Sequence, residues 1–240
     1  MRADGRAPDE LRPVTITPGF LCTAPGAVLI EMGGTKVICT VFLEPRVPPF
    51  LVGSGKGWLT AEYGMLPGAA RQRIAREATS GRPNGRHREI QRLIGRVLRS
   101  AVDLLLLGER TLAVDCDVIQ ADGGTRTASI TGAYVALAEA VNRLTKEGQL
   151  SASPLREAVA AVSVGVVDDL VLLDLCYQED VRAQTDMNVA MIAGGEIIEV
   201  QGTAEGKPFT RQQAGLMLDV AAGGIEQLLT LQQQAIDSLG

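Results

Sequence analysis

The spacing of apolar and polar residues predicts β-strands in the first part of the chain. Two strand-forming stretches, residues 27–32 and 35–42, flank Gly33-Gly34, a two-residue hairpin turn of the kind that needs positive φ. Residues 44–57 are rich in Pro and Gly and predict a long loop. Residues 111–120 predict another strand, with Leu112, Val114 and Val118 on one face. The N-terminal region is therefore expected to be a sheet.

Helical spacing takes over in three places. From about Glu89, apolar residues recur at i, i+3, i+4, i+7 and i+8, and a second helix follows residues 122–127. A third, long helix begins near Thr210. The two predicted buried stripes consist of Ile90, Leu93, Ile94, Val97 and Leu98, and of Ile130, Tyr134, Leu137, Val141 and Leu144.

The second half of the chain repeats the succession of strands and then a helix. Residues 158–167 and 170–177 predict strands joined at Asp168-Asp169, and residues 187–192 and 197–201 predict strands joined at Gly194-Gly195. We therefore expect an α/β (α+β) fold, a two-layer unit in two structural halves. A length of 240 residues fits one domain over residues 1–240.

Hydropathy and the N-terminus predict a cytoplasmic protein that makes no membrane contact. No continuous apolar run approaches the roughly 20 residues that a membrane span needs. No apolar stretch follows the first six residues (MRADGR), so they do not form a secretory signal.

Cysteine and histidine usage restricts the possible chemistry. The single histidine, His87, excludes a His-rich zinc site and a Ser-His-Asp triad built on a second histidine. The four cysteines are widely separated without a C-x-x-C pair, and Cys39, Cys116 and Cys176 are expected to be reduced core residues. Any metal would be held by carboxylates, which favours Mg²⁺ or Mn²⁺.

Positive charge is concentrated in one segment, although the net charge of the chain is −5. Between residues 71 and 99 the only acidic residues are Glu77 and Glu89. A solvated helix face is the usual explanation for charged runs, but guanidinium groups of one sign suit phosphate oxygens better, which favours an anionic polymer as partner. The arginines of the segment are Arg71, Arg73, Arg76, Arg82, Arg86, Arg88, Arg92, Arg96 and Arg99.

The turn between the predicted strand 111–120 and the next helix has the features of a phosphate site. Gly124 allows close approach of an anion, and the first helical N–H groups point towards it. Thr125 adds a hydroxyl and Arg126 a guanidinium. An ordinary turn with a Thr N-cap is the alternative. An arginine in the first turn favours the phosphate site, because the helix dipole disfavours a cation there unless an anion binds.

A pair of carboxylates forms a second candidate site. Residues 177–180 end one predicted strand and Thr185 begins the next. If these strands pair as a hairpin, Asp180 and Asp186 lie side by side, where they could chelate Mg²⁺ or hold one raised pKa for a general acid. Aspartates that merely cap turns are the common alternative.

Eight segments resemble the ribonuclease PH family, in order and over nearly the whole chain. The longest is also the most specific, because it contains the candidate phosphate turn. The segments are 2–6 (RADGR), 11–13 (LRP), 57–67 (GWLTAEYGMLP), 85–86 (GR), 89–96 (EIQRLIGR), 115–132 (DCDVIQADGGTRTASITG), 185–189 (TDMNV) and 199–206 (EVQGTAEG).

The resemblance implies a fold and a reaction. The fold is a β-rich two-layer α/β unit of the ribonuclease PH and ribosomal protein S5 type. In the reaction, inorganic phosphate as co-substrate attacks the last phosphodiester of an RNA 3′ end and releases a nucleoside diphosphate. Precursor transfer RNAs and other RNA 3′ ends are the implied substrates, and a homohexameric ring built as a trimer of dimers is the implied assembly.

The resemblance also implies roles for individual residues. The family's phosphate-binding residues match Arg86, Gly124, Thr125 and Arg126. Its proposed acid and its Mg²⁺ (or Mn²⁺) ligands match Asp180 and Asp186. Candidate RNA contacts are Arg71, Arg73 and Arg76. The alternative function is a non-catalytic RNA-binding subunit of an exosome-like ring, and retention of the phosphate arginines and both aspartates argues against it.

Overall fold

The described part of the first half of the chain forms a five-stranded sheet. The computed structural model describes Arg2, residues 4–76 and residues 85–239. The strands are β1 (Val14–Pro18), β2 (Gly26–Met32), β3 (Thr35–Glu44), β4 (Trp58–Met65) and β5 (Thr111–Gln120), in the order β1-β2-β3-β5-β4. Strands β4 and β5 pair in parallel, and the other neighbours are antiparallel. The predicted strands are confirmed, and β1 and β4 are additional ones.

Helices cover one face of this sheet. The loop after β3 contains a short 3₁₀ helix (Pro49–Leu51) and is otherwise irregular, as expected. The helices are α1 (Gly85–Ser100), α2 (Leu104–Leu107) and α3 (Thr125–Lys146). Both predicted apolar stripes, on α1 and on α3, are buried. Because α1 lies between the parallel strands β4 and β5 in sequence, it forms the crossover that parallel pairing requires.

The described part of the second half forms a four-stranded antiparallel sheet and a long helix. Its elements are β6 (Val159–Val167), β7 (Leu170–Leu173), α4 (Tyr177–Asp180), β8 (Thr185–Ile192), β9 (Ile197–Ala204) and α5 (Arg211–Asp237). The strand order is β7-β6-β8-β9. The two predicted hairpin connections at residues 168–169 and 194–195 are confirmed.

The expected hairpin between residues 170–177 and the strand carrying Asp186 is wrong. β6 lies between β7 and β8, and β7 stops at Leu173. The next residue, Asp174, has φ +52°, a left-handed conformation that ends an extended strand. The chain then forms the single turn of α4, so Asp180 lies on a helix rather than at a strand end.

The cysteine prediction holds for two of its three members. Cys39 and Cys116 are buried and face each other across β3 and β5. Cys176 is half-buried and occupies the N-cap of α4, because the strand that was expected to contain it ends before it.

One contiguous core joins the two halves through α3. This helix packs on β2 and β3 and also on β6, and 15 of its residues are buried. The Thr131 hydroxyl donates to the Ala161 carbonyl of β6 at 3.2 Å, and Gln232 of α5 donates to the carbonyls of Thr131 and Val159. The N-terminus of α3 is therefore held between the two sheets.

Helix α5 is long and apolar enough, by length and composition, to cross a membrane. It is the only such helix among the residues that the structure describes. The expectation that no continuous apolar run approaches that length still holds, because polar residues interrupt α5, whose most apolar stretch of 18 residues has a mean hydropathy of 1.3. The helix packs on β6, β7 and α3, so part of its apolar surface belongs to the core.

Candidate active site

The predicted phosphate turn is an uncapped helix N-terminus. Gly124 is the N-cap of α3 in a left-handed conformation, φ +64°, and makes no side-chain cap hydrogen bond. No acidic residue lies in the first turn of the helix. The Thr127 hydroxyl turns away and donates to the Gly124 carbonyl at 2.9 Å. The N–H groups at the start of α3 are therefore available to an anion.

The hairpin between β2 and β3 shapes this turn. The buried Thr35 hydroxyl donates to the Gly123 carbonyl at 2.6 Å and accepts the Asp122 N–H at 2.9 Å. Gly34 lies so close that a Cβ there would be 2.7 Å from the Asp122 carboxylate. A glycine is required at this position because the two turns pack directly on each other.

Arg126 is held by residues from two other elements. Its Nη1 donates to the side-chain carbonyl of Gln201 on β9 at 2.7 Å and lies 3.7 Å from the Glu89 carboxylate of α1. The Gln201 amide in turn donates to Glu89. The side chain is 17% exposed, so its charge is fixed at the turn yet reachable from solvent.

Tyr63 of β4 brings the start of α1 to the phosphate turn. Its hydroxyl is 2.9 Å from the Thr125 hydroxyl, and its ring packs edge-on against His87 with a 5.4 Å centroid separation. Burial raises the pKa of Tyr63, while Arg86 and Arg126 act against this rise. The positive charges of Arg86 and Arg126 therefore both act on the Tyr63 hydroxyl, beside the phosphate turn where the sequence predicts these two arginines.

Asp180 and Asp186 come together although they are not on paired strands. Burial raises the pKa of Asp180, and the charge of Asp186 raises it further, whereas Arg86 and Arg126 lower it. Gly165 of β6 is paired with Asp186, and the backbone carbonyl of Thr185 and the side chain of Leu175 lie close against it. A side chain at Gly165 would collide with Leu175, on the segment leading to α4. The structure thus places the two carboxylates beside the two arginines.

A buried ionic cluster, which was not predicted from the sequence, lies behind this site. Arg2, Arg6 and Arg12 of the N-terminal segment are each 9% exposed or less. Arg2 forms a bidentate pair with Glu179 at 2.8 Å, and Arg12 forms one with Asp174. The available signals were three arginines within the first 12 residues and their place in the family-like segments 2–6 and 11–13, and neither signal distinguishes a buried charge from a solvated one.

The candidate RNA contacts Arg71, Arg73 and Arg76 are exposed. Their segment starts at the phosphate turn, because the Ala121 N–H donates to the Ala69 carbonyl at 2.8 Å. One further arginine of the segment, Arg82, lies within positions 77–84, outside the described residues. The position of the three exposed arginines suits an RNA contact, which stays a prediction.

Helix α1 carries the rest of the arginine-rich segment. Arg96 pairs with Glu199 at 2.6 Å, so one arginine does have an acidic partner, although it is distant in sequence. Arg88, Arg92 and Arg99 line a groove of about 400 Å³ between α1 and β4. The Arg99 guanidinium lies 4.6 Å from the centre of the Trp58 ring. This face of α1 remains strongly cationic.

The donor set suits a hard divalent cation held jointly with a substrate. Among the described residues, no group of three or more His, Cys, Asp or Glu side chains could hold a metal ion. The neighbouring carboxylates of Asp180 and Asp186 nevertheless fit Mg²⁺ or Mn²⁺, since Mg²⁺ is commonly bound by one or two carboxylates together with substrate phosphates. This arrangement can hold two phosphate groups next to each other. The start of α3 and the arginines would bind one of them, and a cation on the two aspartates would bind the other.

Comparisons with known proteins agree with this arrangement. A model of the 3′ exoribonuclease family, domain 1, matches residues 10–141, and one of the same family, domain 2, matches residues 157–224. Ribonuclease PH of Moorella thermoacetica is 57% identical over 239 residues, which cover 100% of this chain and 96% of that protein. The expectation that residues 1–240 form one domain stays a prediction.

Solved structures share the fold. A chain of the Archaeoglobus fulgidus exosome with RNA bound to the active site has a TM-score of 0.81 at 24% identity, covering 95% of this chain and 91% of its own. Rrp46 of rice, Oryza sativa, has a TM-score of 0.79 at 19% identity, covering 98% and 100%. At these identities the likeness concerns the fold, and it confirms the expected α/β architecture.

Proposed function

We infer that this protein, which belongs to the 3′ exoribonuclease family, is a phosphate-dependent 3′-to-5′ exoribonuclease of the nucleotidyltransferase class. The 57% identity to a ribonuclease PH over the full chain supports the activity. The structural observation that carries it is the uncapped start of α3 with Arg126 fixed in its first turn, and the charges of Arg86, Arg126 and Asp186 all act on Asp180 beside it. Attack by phosphate on a phosphodiester brings two anions together, and such a site reduces their repulsion.

The phosphate turn holds the nucleophile. The backbone N–H groups at the start of α3, the Thr125 hydroxyl and the guanidinium groups of Arg86 and Arg126 bind inorganic phosphate. One phosphate oxygen forms a bond to the phosphorus of the terminal nucleotide, and the bond from that phosphorus to the 3′ oxygen of the preceding nucleotide breaks. The products are a nucleoside diphosphate and an RNA shortened by one residue.

The aspartates handle the leaving group. The departing 3′ oxygen needs a proton, and Asp180 is suited to donate it because burial and Asp186 raise the pKa of its carboxyl. Asp186, together with Asp180 when ionised, would hold Mg²⁺ or Mn²⁺. The metal would supply positive charge that stabilises the phosphoryl group during transfer.

We propose precursor transfer RNA as the principal substrate and a homohexameric ring as the working assembly. The exposed arginines of residues 71–76, beside the phosphate turn, support contact with a structured RNA beyond its 3′ end. A ring would place the cationic faces of neighbouring subunits along one RNA. The assembly is tested by sedimentation of the purified protein.

The deciding experiment compares product formation with and without phosphate. A transfer RNA with a short 3′ extension should yield nucleoside diphosphates only when phosphate is present, and excess nucleoside diphosphate should extend the RNA. Release of nucleoside monophosphates without phosphate would show hydrolysis and overturn the proposal. RNA binding without turnover under all conditions would favour the non-catalytic ring subunit.

A further inference from the structure

The two halves of the candidate active site meet at a buried arginine. The Arg12 side chain is 4% exposed, and its Nε and Nη2 donate to the two carboxylate oxygens of Asp174 at 2.9 and 2.7 Å. Its Nη1 donates to the Asp122 carbonyl of the phosphate turn. One planar guanidinium thus bonds to both the segment before α4 and the turn before α3.

Direct packing strengthens the same junction. The Tyr177 N–H, at the start of α4, donates to the Asp122 carboxylate at 3.3 Å. A Cβ on Gly123 would collide with the backbone of Leu175 and Cys176. The phosphate turn and the segment leading into the helix that bears Asp180 therefore touch along their backbones, so a shift of one is passed directly to the other.

Asp174 combines a left-handed backbone with a buried, fully paired carboxylate. Its backbone is left-handed at φ +52°, its side chain is fully buried, and its carbonyl accepts hydrogen bonds from Arg2 at 3.1 Å and Arg6 at 3.2 Å. This region is uncommon for a residue other than glycine, and the hydrogen bonds to Asp174 hold it there. Arg12 satisfies both carboxylate oxygens and also donates its own backbone N–H to one of them at 2.9 Å.

We propose that Arg12 is a positioning residue for phosphorolysis, acting through Asp174 to set the distance and orientation between the phosphate turn and Asp180. The proposal rests on the proposed function, because it assigns the turn to phosphate and Asp180 to the leaving group. The guanidinium of Arg12 acts through protein atoms, because its hydrogen bonds go to the Asp174 carboxylate and to backbone carbonyls of the phosphate turn. Its fork keeps the nucleophile, bound by the first half of the chain, in line with the acid supplied by the second half.

The test compares R12K with R110K. The lysine of R12K would keep the charge but lose the fork, so it cannot hold Asp174 and Asp122 together. Arg110 is the control: its guanidinium also joins two segments, through the backbone carbonyls of Leu107 and Gln149, but it lies just before β5, about 30 Å along the strand from the phosphate turn. Turnover and the KM values for phosphate and RNA are measured at a temperature where both variants are folded.

The expected result is a split between the kinetic constants. R12K should lower kcat about ten- to a hundredfold, because misplacement of about 1 Å is enough for such a loss, and should raise the KM for phosphate. The KM for RNA should stay within about twofold of the value of the unsubstituted protein, since Arg12 is not among the residues proposed to bind RNA. R110K should leave all three constants unchanged. Unchanged kcat and phosphate KM in folded R12K would overturn the proposal.

Two further measurements keep the outcome decisive. If R12K does not fold, D174N, which removes the charge but not the shape, is put through the same comparison and should show the same split. Phosphate alone should raise the thermal midpoint of the unsubstituted protein more than that of R12K. If phosphate raises the thermal midpoint of both proteins equally, Arg12 has no role in positioning the phosphate turn, whatever the RNA assay shows. If the unsubstituted protein does not cleave RNA in a phosphate-dependent way, the proposed function is refuted instead.

Discussion

Replacing Arg126 with alanine isolates the contribution of the phosphate turn. Arg126 lies in the first turn of α3, and alanine is the best helix former, so the helix itself should persist. The partners that lose a contact are Gln201, which donates its own amide to Glu89, and Glu89, which is 42% exposed. Folding should therefore change little, and the main effect should be on phosphate.

The structure narrows the expected magnitude. A charge-assisted hydrogen bond contributes about 1.5–3 kcal/mol, which corresponds to roughly ten- to a hundredfold in kcat/KM for phosphate. In the free protein Arg126 already bonds to Gln201 at 2.7 Å, so binding phosphate exchanges one good contact for a stronger one. The loss in Arg126→Ala should accordingly lie near the lower end of that range, about tenfold.

The assay measures initial rates of nucleoside diphosphate release over a range of phosphate concentrations at saturating RNA, and RNA affinity separately. Arg143→Ala is the matched control because Arg143 lies on the same helix, about 25 Å further along its axis, and pairs with Glu147. The control should behave like the unsubstituted protein, and RNA affinity should be unaffected in both variants.

Arg126 does not bind phosphate if Arg126→Ala keeps the phosphate dependence of the unsubstituted protein. That outcome would show that the first turn of α3 is an ordinary helix start and that its arginine serves only the contact with Gln201. A loss confined to RNA affinity would instead place Arg126 on the RNA path.

Further substitutions test other parts of the site. Asp180→Asn and Asp186→Asn should each remove most phosphorolysis, with strongly non-additive effects in the double variant. As pH rises, the residual activity of Asp186→Asn should be lost at a lower pH than the activity of the unsubstituted protein, because removing the charge of Asp186 lowers the pKa of Asp180. Full activity in either single variant would exclude that aspartate from the mechanism. Replacing the arginines of residues 71–76 should make the slope of log K for RNA binding against log salt concentration shallower, by about 0.7 per lost contact for single-stranded RNA and about 0.9 for a duplex. Dissociation of the assembly with unchanged affinity would place these arginines at a subunit interface instead. Burial raises the pKa of Glu179, but Arg2 outweighs this and lowers it, so the ionised Glu179 should stabilise the protein at neutral pH and lose that contribution on acidification. Arg2→Gln should therefore make the free energy of unfolding depend less on pH in the acid range, and an unchanged dependence would contradict this.

Local sequence determined the parts of this protein that depend on periodicity and backbone preference. The apolar stripes of α1 and α3 follow from a spacing that places them on one helical face, and both are buried as predicted. The phosphate turn was also predictable, because two glycines, a hydroxyl and an arginine at a strand-to-helix junction are consecutive residues. Its chemistry lies within one short segment.

Only the tertiary structure decided how distant segments combine. Asp180 and Asp186 are not on paired strands, because β6 lies between β7 and β8 in the sheet. Strand order depends on contacts between distant parts of the chain, which local patterns do not reveal. The partners of Arg126 come from α1 and β9, and no local pattern links those elements. The burial of Arg2 and Arg12 was hidden for the same reason. A charged residue looks solvated in sequence, and only the fold supplies the carboxylates, here Glu179 and Asp174, that make its burial possible.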